Sequence, residues 1–349
     1  MHIAQVAPLV ESVPPHGYGG TERVVAWLTE ELVRRGHRVT LFASGDSRTS
    51  ARLVAPYPRA LRLDADRPDS VPLHVALLAD VIARVAEFDV IHAHADVLGF
   101  LLDRAAPGPV VHTLHGRLDL PALRPVFARF PDTAVVSISD HQRRPLAGLD
   151  VSWVATVHHG LPVNDVPFDP AGGNGGYLAF LGRMSPEKRP DLAIEVARRL
   201  GMPLRIAAKV DAADVDYFER EVRPLLDSPL VEFIGEVDET SKHAFLSGAR
   251  CLLFPIDWPE PFGLVMIEAL ACGTPVVARP AGSVPEIVED GVTGYLGETV
   301  GELARAVKRI DLIDRATCRR RAEERFSVGR MTDDYEAIYR SVATRRRAA

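Results

Sequence analysis

The sequence predicts an α/β protein made of two doubly wound domains, each with a parallel sheet and helices on both of its faces. Short runs rich in β-branched residues alternate with amphipathic stretches along the chain, which is typical of βα units. The alternation stops once, near residue 170, and then restarts. The chain has 349 residues, enough for two domains of ordinary size.

The first domain, predicted over residues 1–165, begins with the strand HIAQVAPL and a helix from Thr21 to Arg35, followed by Gly36 as a favourable helix stop. The apolar residues of this helix recur at helical spacing, namely Val24, Val25, Leu28 and Leu32. The further strands predicted in this domain are HRVTLFA, DVIHAH, PVVHTLH, TAVVSI and VATVHH.

The domain boundary is predicted in PVNDVPFDPAGGNGG, residues 162–176, which combines Pro, Gly, Asn and Asp without periodicity and is typical of a linker. The second domain is predicted over residues 166–330, with helices near 190–200 and 240–248. Its predicted strands are YLAFLG, PLRIAAKV, LVEFIGEV, CLLFPI and TPVVAR. Ligands of such sheets bind beyond the carboxyl ends of the strands, so the loops that follow strands are the candidate site.

Composition argues against nucleic acid as the main partner and predicts a cytoplasmic protein. The net charge is −6, whereas a protein that mainly neutralises phosphates carries an excess of basic residues. Three scattered cysteines without CxxC spacing predict neither a disulfide framework nor a zinc site, as expected in a reducing compartment. The start MHIAQVAPLV lacks the features of a signal peptide, and no apolar run approaches the length of a membrane span. Peripheral contact with the inner face of a membrane stays open.

Two glycines end the loop after the first strand. Gly19 and Gly20 precede the helix that starts near Thr21, and its first amides and positive dipole end favour phosphate. The alternative is a plain strand-to-helix turn capped by Thr21. The loop lacks the GxGxxG spacing of a dinucleotide site.

Two cations follow the first strand of the second domain. Arg183 and Lys188 lie in LGRMSPEKRPD, just before a helix that starts near Pro190. An Arg guanidinium can fork onto phosphate, and Lys contributes a point charge. Their position at the carboxyl end of a strand favours a diphosphate site over ordinary surface charge.

Two glutamates lie eight residues apart in PEPFGLVMIEALACGTPVV. Pro261 disfavours a helical Glu260 and suits the first position of a helix, so we predict a helix that begins just after Glu260, with Glu268 two turns inside it. Even if both were helical, they would lie about 12 Å apart along the axis, which does not suit a glycosidase acid/base pair. We interpret them as separate contacts to one elongated ligand, with Glu260 facing a neutral polyhydroxyl group. The alternatives are a helix cap for Glu260 and an exposed helix position for Glu268.

The motifs match those of a known family, in family order over nearly the whole chain: GGTERVV, VIHAH, LHG, SISDHQR, LGRMSPEK, WPEPFGLVMIEALACGTPVVA and GSVPEIVEDGVTGYL. In these motifs the chain resembles the retaining nucleotide-sugar glycosyltransferases of family GT4 (glycosyltransferase group 1). The resemblance implies the GT-B fold, with two Rossmann-like doubly wound domains facing across a cleft. The first domain would be the acceptor side and the second the nucleotide-sugar donor side. The terminal helix, residues 331–349, would cross back to pack on the first domain.

The resemblance implies roles at the donor diphosphate and the reacting centre. Gly19 and Gly20 match the loop that approaches the diphosphate, and His115 matches the histidine beside the transferred sugar. Arg183 and Lys188 match the cations that bind the diphosphate.

The resemblance also implies roles along the rest of the donor. Glu260 matches the glutamate that holds the sugar hydroxyls, and Glu268 matches the one that holds the ribose hydroxyls. The catalytic set is therefore expected to comprise His115, Glu260, Arg183 and Lys188. The backbone contacts beside the sugar are expected from Phe262, Gly263 and Leu264. The base and the neighbouring phosphate are expected at the strand ends marked by Lys209, Gly235 and Val237.

The activity that the resemblance implies is that of a hexosyltransferase-type enzyme, which moves a sugar from a nucleoside diphosphate to an acceptor hydroxyl with retention. No nucleophile is evident, so a front-face route without a required metal or other cofactor is expected. A UDP-sugar is favoured over a GDP-sugar as donor, and the acceptor would be a saccharide, a glycolipid or a small molecule. Another GT-B enzyme on nucleotide sugars, such as a 2-epimerase, and a catalytically idle nucleotide-sugar binder stay open as alternatives.

Two further segments have competing interpretations. HAHAD puts His92, His94 and Asp96 on one face of a predicted strand, but no second ligand cluster supports a metal, so a structural or acceptor-side role is favoured. RLDLPALRPVFARF, residues 117–130, mixes basic and apolar residues and would suit an anionic membrane or a lipid-linked acceptor. Two prolines interrupt a helix there, so a plain acceptor-side loop is favoured.

Overall fold

The computed structural model of the protein describes residues 1–66, 68–105 and 108–347. The chain divides into two compact units. Unit 1 comprises Met1–Gly160 together with the segment from Val328 onward, and unit 2 comprises Leu161–Ser327. The chain therefore passes between the units five and three residues before the boundaries predicted at 165/166 and 330/331.

Unit 1 is built on a parallel sheet. Its strands in the described ranges are β1 (His2–Val6), β2 (Arg38–Phe42), β3 (Arg52–Val54), β4 (Val90–Ala93), β5 (Val110–Thr113), β6 (Val135–Ser137) and β7 (Trp153–Thr156). They lie in the order β3-β2-β1-β4-β5-β6-β7, so the winding direction reverses between β1 and β4. β3 was not predicted, because its three residues are too few to show a pattern.

Unit 2 repeats this plan. Its described strands are β8 (Leu178–Arg183), β9 (Leu204–Lys209), β10 (Val231–Gly235), β11 (Cys251–Phe254), β12 (Val276–Ala278) and β13 (Gly294–Leu296). The order is β10-β9-β8-β11-β12-β13, with the reversal between β8 and β11, and all the pairs are parallel. The predicted α/β class with two doubly wound units is confirmed, and the three-residue β13 is an addition.

Helices connect the strands. In chain order they are α1 (Gly20–Arg34), α2 (Ser70–Ile82), α3 (Leu101–Ala105), α4 (Arg124–Phe127), α5 (Asp140–Arg143), α6 (Pro190–Leu200), α7 (Val215–Tyr217), α8 (Glu239–Gly248), α9 (Leu264–Ala271), α10 (Val284–Ile287), α11 (Val300–Lys308), α12 (Arg315–Phe326) and α13 (Val328–Arg347). None of the helices in the described ranges is long and apolar enough to cross a bilayer.

Helices cover both faces of the unit 1 sheet, which explains why its strands are near-continuous apolar runs. Leu77 of α2 packs in one cluster with Val6 of β1, and Val25 of α1 packs in another with Leu41 of β2. β1 is buried along its whole length.

The terminal helix α13 packs on unit 1, so the predicted return of the C-terminal helix to the first domain is confirmed. Arg35, just after α1, pairs with Asp333 at 2.6 Å, and His37 Nε2 lies 2.9 Å from Glu336 Oε1.

The segment 117–130 turns most of its large apolar side chains into unit 1. Leu118 and Phe127 are buried in a cluster with Phe100 and Leu146. Of the large apolar side chains in this fully described segment, Leu120 alone is exposed. This burial weakens the membrane-contact interpretation of the segment.

Candidate functional site

Several of the residues predicted to bind the donor lie beside one edge of the unit 2 sheet. Arg183 and Lys209 end β8 and β9 and are register partners. Gly235 ends β10, two residues before Val237, and Glu260 follows β11. Because the strands are parallel, their carboxyl ends share one edge, and the loops after β8 and β11 flank the reversal in strand order, where such sheets bind ligands.

Lys188 and Glu260 form an ion pair, with Lys188 Nζ donating to Glu260 Oε2. The two residues are only 9% and 7% exposed. Trp258 Nε1 donates to the same carboxylate oxygen at 2.9 Å. The ammonium lies 5.0 Å from the Trp258 ring and 5.4 Å from the Phe254 ring, within cation–π range. Trp258 was missed in the sequence, although it stands two residues before Glu260.

The helix after Glu260 begins later than predicted. α9 starts at Leu264, and Gly263 precedes it in the left-handed region with φ 82°. This turn prevents a helix from continuing out of Pro261, so the prediction of a start just after Glu260 is wrong. Glu260 is neither helical nor a helix cap, and Glu268 lies one turn inside α9 rather than two. Gly263 and Leu264 are partly exposed, whereas Phe262 is buried.

The loop after β12 fixes the backbone around Glu260. Ser283 N donates to Glu260 O at 2.9 Å, and Ser283 Oγ donates to Phe262 O at 2.8 Å. Gly282 has φ 63°, and a Cβ at this position would clash with the backbone N and O of Glu260. Glycine is therefore required for this close approach. The sequence showed a Gly-Ser pair after a strand, but nothing in it indicated which loop the pair would contact.

The cations at the ends of β8 and β9 face two aspartates. Arg183 lies 3.5 Å from Asp214 and 3.7 Å from Asp211, and Lys209 lies 3.2 Å from Asp211. The side chains of Arg183 and Lys209 are 26% and 25% exposed, so an anion can reach them. These aspartates were also missed, although they follow Lys209 closely in the sequence, and an anionic ligand must compete with them.

Glu268 is buried and paired, so the alternative of an exposed helix position is wrong. Lys242 Nζ of α8 donates to Glu268 Oε1 at 2.6 Å and to Glu239 Oε2 at 2.9 Å. Lys242 itself is 8% exposed. A buried carboxylate needs such a partner, because an isolated buried charge is costly.

In unit 1, α1 begins at Gly20, one residue earlier than predicted, and Gly19 stands at the cap position with no side-chain cap. The alternative of a Thr21 cap is therefore wrong. A Cβ on Gly19 would lie 2.7 Å from Pro15 Cβ, so packing of the preceding loop also requires a small residue here. Burial, aided by the charge of Glu11, raises the pKa of Glu22 in the first turn of α1 to about 7.

His115 follows β5 and lies among other histidines. His115 Nε2 is 2.8 Å from His94 Nδ1, and the His115 ring stacks on His159 with centroids 5.1 Å apart. Burial lowers the pKa of His115 to about 3, and it lowers the pKa values of His94 and His159 well below the ordinary range. These rings are therefore neutral at physiological pH.

The HAHAD segment is not a continuous strand face, so that expectation is wrong. β4 ends at Ala93, His94 lies beyond it, and Asp96 turns away with φ 45°. His92 Nε2 lies 2.7 Å from Thr113 Oγ1 in the interior of unit 1. Within residues 1–66, 68–105 and 108–347, no group of three or more His, Cys, Asp or Glu side chains is arranged to hold a metal ion.

Two family models match the chain in succession. The model described as Glycosyltransferase Family 4 matches residues 18–168, and the model described as Glycosyl transferases group 1 matches residues 169–325. One relative is the D-inositol 3-phosphate glycosyltransferase of Mycobacterium tuberculosis strain H37Rv, which is 28% identical over 367 residues. The match covers 88% of this chain and 76% of that protein.

Solved structures share the fold. The Anabaena protein HepE, in complex with UDP and glucose, is 20% identical with a TM-score of 0.76, over 98% of this chain and 100% of that one. The sucrose-phosphate synthase of Thermosynechococcus elongatus is also 20% identical, with a TM-score of 0.78 over 98% of both chains.

Proposed function

Since this chain belongs to the GT4 family of GT-B glycosyltransferases, we propose that unit 2 binds a nucleoside-diphosphate sugar and that the sugar passes to an acceptor hydroxyl with retention. The enzyme is of the hexosyltransferase class. The observation that supports this donor most strongly is the pairing of Lys188 with Glu260, which joins the loops after β8 and β11 at the reversal in the unit 2 sheet. Arg183 ends β8, at the start of the first of these loops. There a ligand meets cations suited to a diphosphate next to a carboxylate suited to hydroxyl groups.

We assign contacts to the parts of the donor as follows. Arg183 and Lys188 take the diphosphate, Glu260 takes sugar hydroxyls, and Glu268 takes the ribose hydroxyls. The amides at the start of α9 contact the sugar, and Gly19 and Gly20 approach the diphosphate. Lys209, Gly235 and Val237 seat the base and the neighbouring phosphate.

The reaction breaks the bond between the anomeric carbon and the diphosphate oxygen and forms a bond from that carbon to the acceptor oxygen on the same face. The acceptor proton passes to the leaving diphosphate. Negative charge grows on the diphosphate as it departs, and Arg183 and Lys188 stabilise it from fixed positions. His115 lies beside the sugar. Positioning of the reactants and stabilisation of the developing charge then accelerate the transfer without a nucleophilic side chain or a metal ion.

UDP-glucose is the first donor to test, because HepE was solved with UDP and glucose. A phosphorylated inositol is the first acceptor to test, because it is the acceptor in the name of the mycobacterial relative. A saccharide or a glycolipid is the next choice. We place the enzyme in the cytoplasm, because its three cysteines are free and buried, as is usual in a reducing compartment.

A thermal-shift panel of UDP, GDP, ADP, UDP-glucose and GDP-mannose tests the donor, since a ligand that binds the folded state raises the melting temperature. Transfer from the best donor is then measured with and without chelator. Arg183→Ala and Lys188→Ala should each lower the rate on the order of 10²-fold. Arg220→Ala, which removes a cation that is 76% exposed, is the control. Variant rates near wild type would overturn the assignment.

The same assay separates the alternatives. A transferase releases UDP with its glycosylated product only when an acceptor is present, and NMR of the product shows whether the anomer is retained. A 2-epimerase converts the donor into its C2 epimer without an acceptor and without net release of UDP, and an idle binder shows a thermal shift without turnover.

A further inference from the structure

A row of hydrogen bonds in unit 1 connects the terminal helix to His115. Gln5 Nε2 of β1 donates to the hydroxyl of Tyr339 at 3.2 Å. Gln5 Oε1 lies 2.8 Å from His94 Nε2, and His94 Nδ1 lies 2.8 Å from His115 Nε2. Gln5, His94 and Tyr339 are at most 1% exposed.

The direction of each hydrogen bond in this row fixes the next one, because a neutral imidazole has one donor and one acceptor. Gln5 presents its carbonyl oxygen to His94, so His94 carries its proton on Nε2. His94 Nδ1 then accepts from His115 Nε2. His115 is therefore protonated on Nε2 and keeps an acceptor lone pair on Nδ1.

A side branch of the row is compatible with this direction. The Tyr339 hydroxyl accepts from Gln5 and lies 2.7 Å from His92 Nδ1, to which it can donate. His92 Nε2 then donates to Thr113 Oγ1 at 2.7 Å.

The opposite direction would place a proton on His115 Nδ1. That atom is buried and has no hydrogen-bond partner among the described residues. Buried N–H groups without a partner are rarer in native proteins than under-used acceptors. Burial also keeps the pKa values of His92, His94 and His115 low. The three rings therefore stay neutral, and no additional proton reverses the direction of these hydrogen bonds.

We propose that Gln5 and His94 are positioning residues that hold His115 in the Nε2–H tautomer, so that its Nδ1 accepts a hydrogen bond from a hydroxyl of the transferred sugar. This step rests on the proposed function, which puts His115 beside that sugar. A sugar hydroxyl can donate to Nδ1, whereas an ionised phosphate only accepts and would face a lone pair. The unpartnered buried atom gains its missing hydrogen bond from the ligand.

The first test is long-range ¹H–¹⁵N NMR of the histidine-labelled full chain at neutral pH, with His115 assigned through His115→Gln. We expect Nε2 protonated and Nδ1 unprotonated. We also expect UDP-glucose, but not UDP, to shift Nδ1 towards the hydrogen-bonded position. A proton on Nδ1, or the same shift with UDP alone, would overturn the inference. Absence of sugar transfer by the wild type would instead refute the proposed function and leave the tautomer result standing.

The second test removes the acceptor of the His115 proton with His94→Phe. We expect mixed His115 tautomers and roughly a tenfold or greater fall in kcat/KM for UDP-glucose, similar to the loss of other orienting partners, with an unchanged Kd for UDP. Gln5→Leu repeats the test if His94→Phe does not fold. His112→Asn is the control, because His112 is a buried ring on β5 that bonds to Asp103 outside the row. An unchanged tautomer and unchanged kcat/KM in a folded His94→Phe or Gln5→Leu protein would refute the positioning role.

Discussion

Lys188 and Glu260 form a buried ion pair beside the carboxyl edge of the unit 2 sheet. In the proposed function these side chains serve adjacent parts of one donor, Lys188 the diphosphate and Glu260 the sugar. Each holds the other in place before the ligand arrives, since a buried charge without a partner is costly.

Replacing the aspartates that face Arg183 should strengthen diphosphate binding. Asp211→Asn and Asp214→Asn remove carboxylates that compete with the ligand for Arg183. The expected gain in UDP affinity is about 1.4- to fivefold, because partly exposed ion pairs are worth roughly 0.2–1 kcal/mol. Isothermal titration calorimetry measures it, with Asp216→Asn, at an 87% exposed side chain, as the control. Weaker UDP binding in Asp214→Asn would show that Asp214 organises the site rather than competing for it.

Removing the partner of Glu268 should damage both stability and nucleotide binding. Lys242→Met leaves the Glu268 carboxylate buried without its ammonium, which costs roughly 3–5 kcal/mol of unfolding free energy. The double variant Lys242→Met/Glu268→Leu should recover the stability but not the affinity for UDP. Urea unfolding and calorimetry separate the two effects, with the exposed Lys308→Met as the control. If the double variant bound UDP with full affinity, the assignment of Glu268 to the nucleotide site would be wrong.

Gly282→Ala should disrupt the sugar end of the site. Its Cβ would clash with the backbone of Glu260, and neither loop can yield through a flexible side chain. We expect UDP-glucose to lose its additional affinity over UDP, and we expect the protein to be less stable. Gly291→Ala is the matched control: its φ is 76°, but a Cβ there meets nothing within 4 Å, so it should cost only about 1–2 kcal/mol. Equal effects of the two substitutions on UDP-glucose binding would contradict the role given to Gly282.

The folded protein should lose stability below about pH 6.5, which is the ordinary pKa of a histidine side chain. The pKa values of His92, His94, His115 and His159 are lowered in the folded state, so the unfolded chain binds more protons as the pH falls. Each histidine that stays neutral in the folded state lowers the unfolding free energy by about 1.4 kcal/mol for every pH unit below about 6.5. Glu22 acts in the opposite sense, because its raised pKa stabilises the folded state as the pH falls from about 7.

Urea unfolding at pH 7.5 and 5.5 checks this balance. We expect the unfolding free energy to be lower at pH 5.5 by at least about 2 kcal/mol, since four histidines outweigh one glutamate. Glu22→Gln should steepen the decline. Equal or greater stability at pH 5.5 would mean that these histidines are not buried as neutral rings.

The sequence predicted the two sheets and the strand ends beside which the candidate site lies, because both depend on local patterns. The alternation of βα units is visible in runs such as CLLFPI, and the loop after each strand can then be located. Arg183 and Lys209 lie side by side because each is the last residue of one of two neighbouring parallel strands.

The partners of the site residues could not be predicted, because they depend on contacts between distant segments. Lys242 and Glu268 are 26 residues apart on separate helices. The late start of α9 also depends on tertiary structure: Gly263 adopts a left-handed turn, and Ser283 binds the carbonyl of Phe262. Local preference favoured a helix at Pro261, and these contacts override it.

The central claim, that Glu260 holds the sugar and Glu268 the ribose of one donor, is tested most directly by calorimetry with UDP and UDP-glucose. Glu268→Gln should weaken both ligands equally, by roughly 10-fold or more, since a hydrogen bond to a charged group is worth about 1.5–3 kcal/mol. Glu260→Gln should weaken the binding of UDP-glucose only. The affinity for UDP should stay the same or increase, because Lys188 loses the carboxylate that competes with the diphosphate. Equal weakening of UDP and UDP-glucose by Glu260→Gln, or unchanged UDP affinity in Glu268→Gln, would contradict the account.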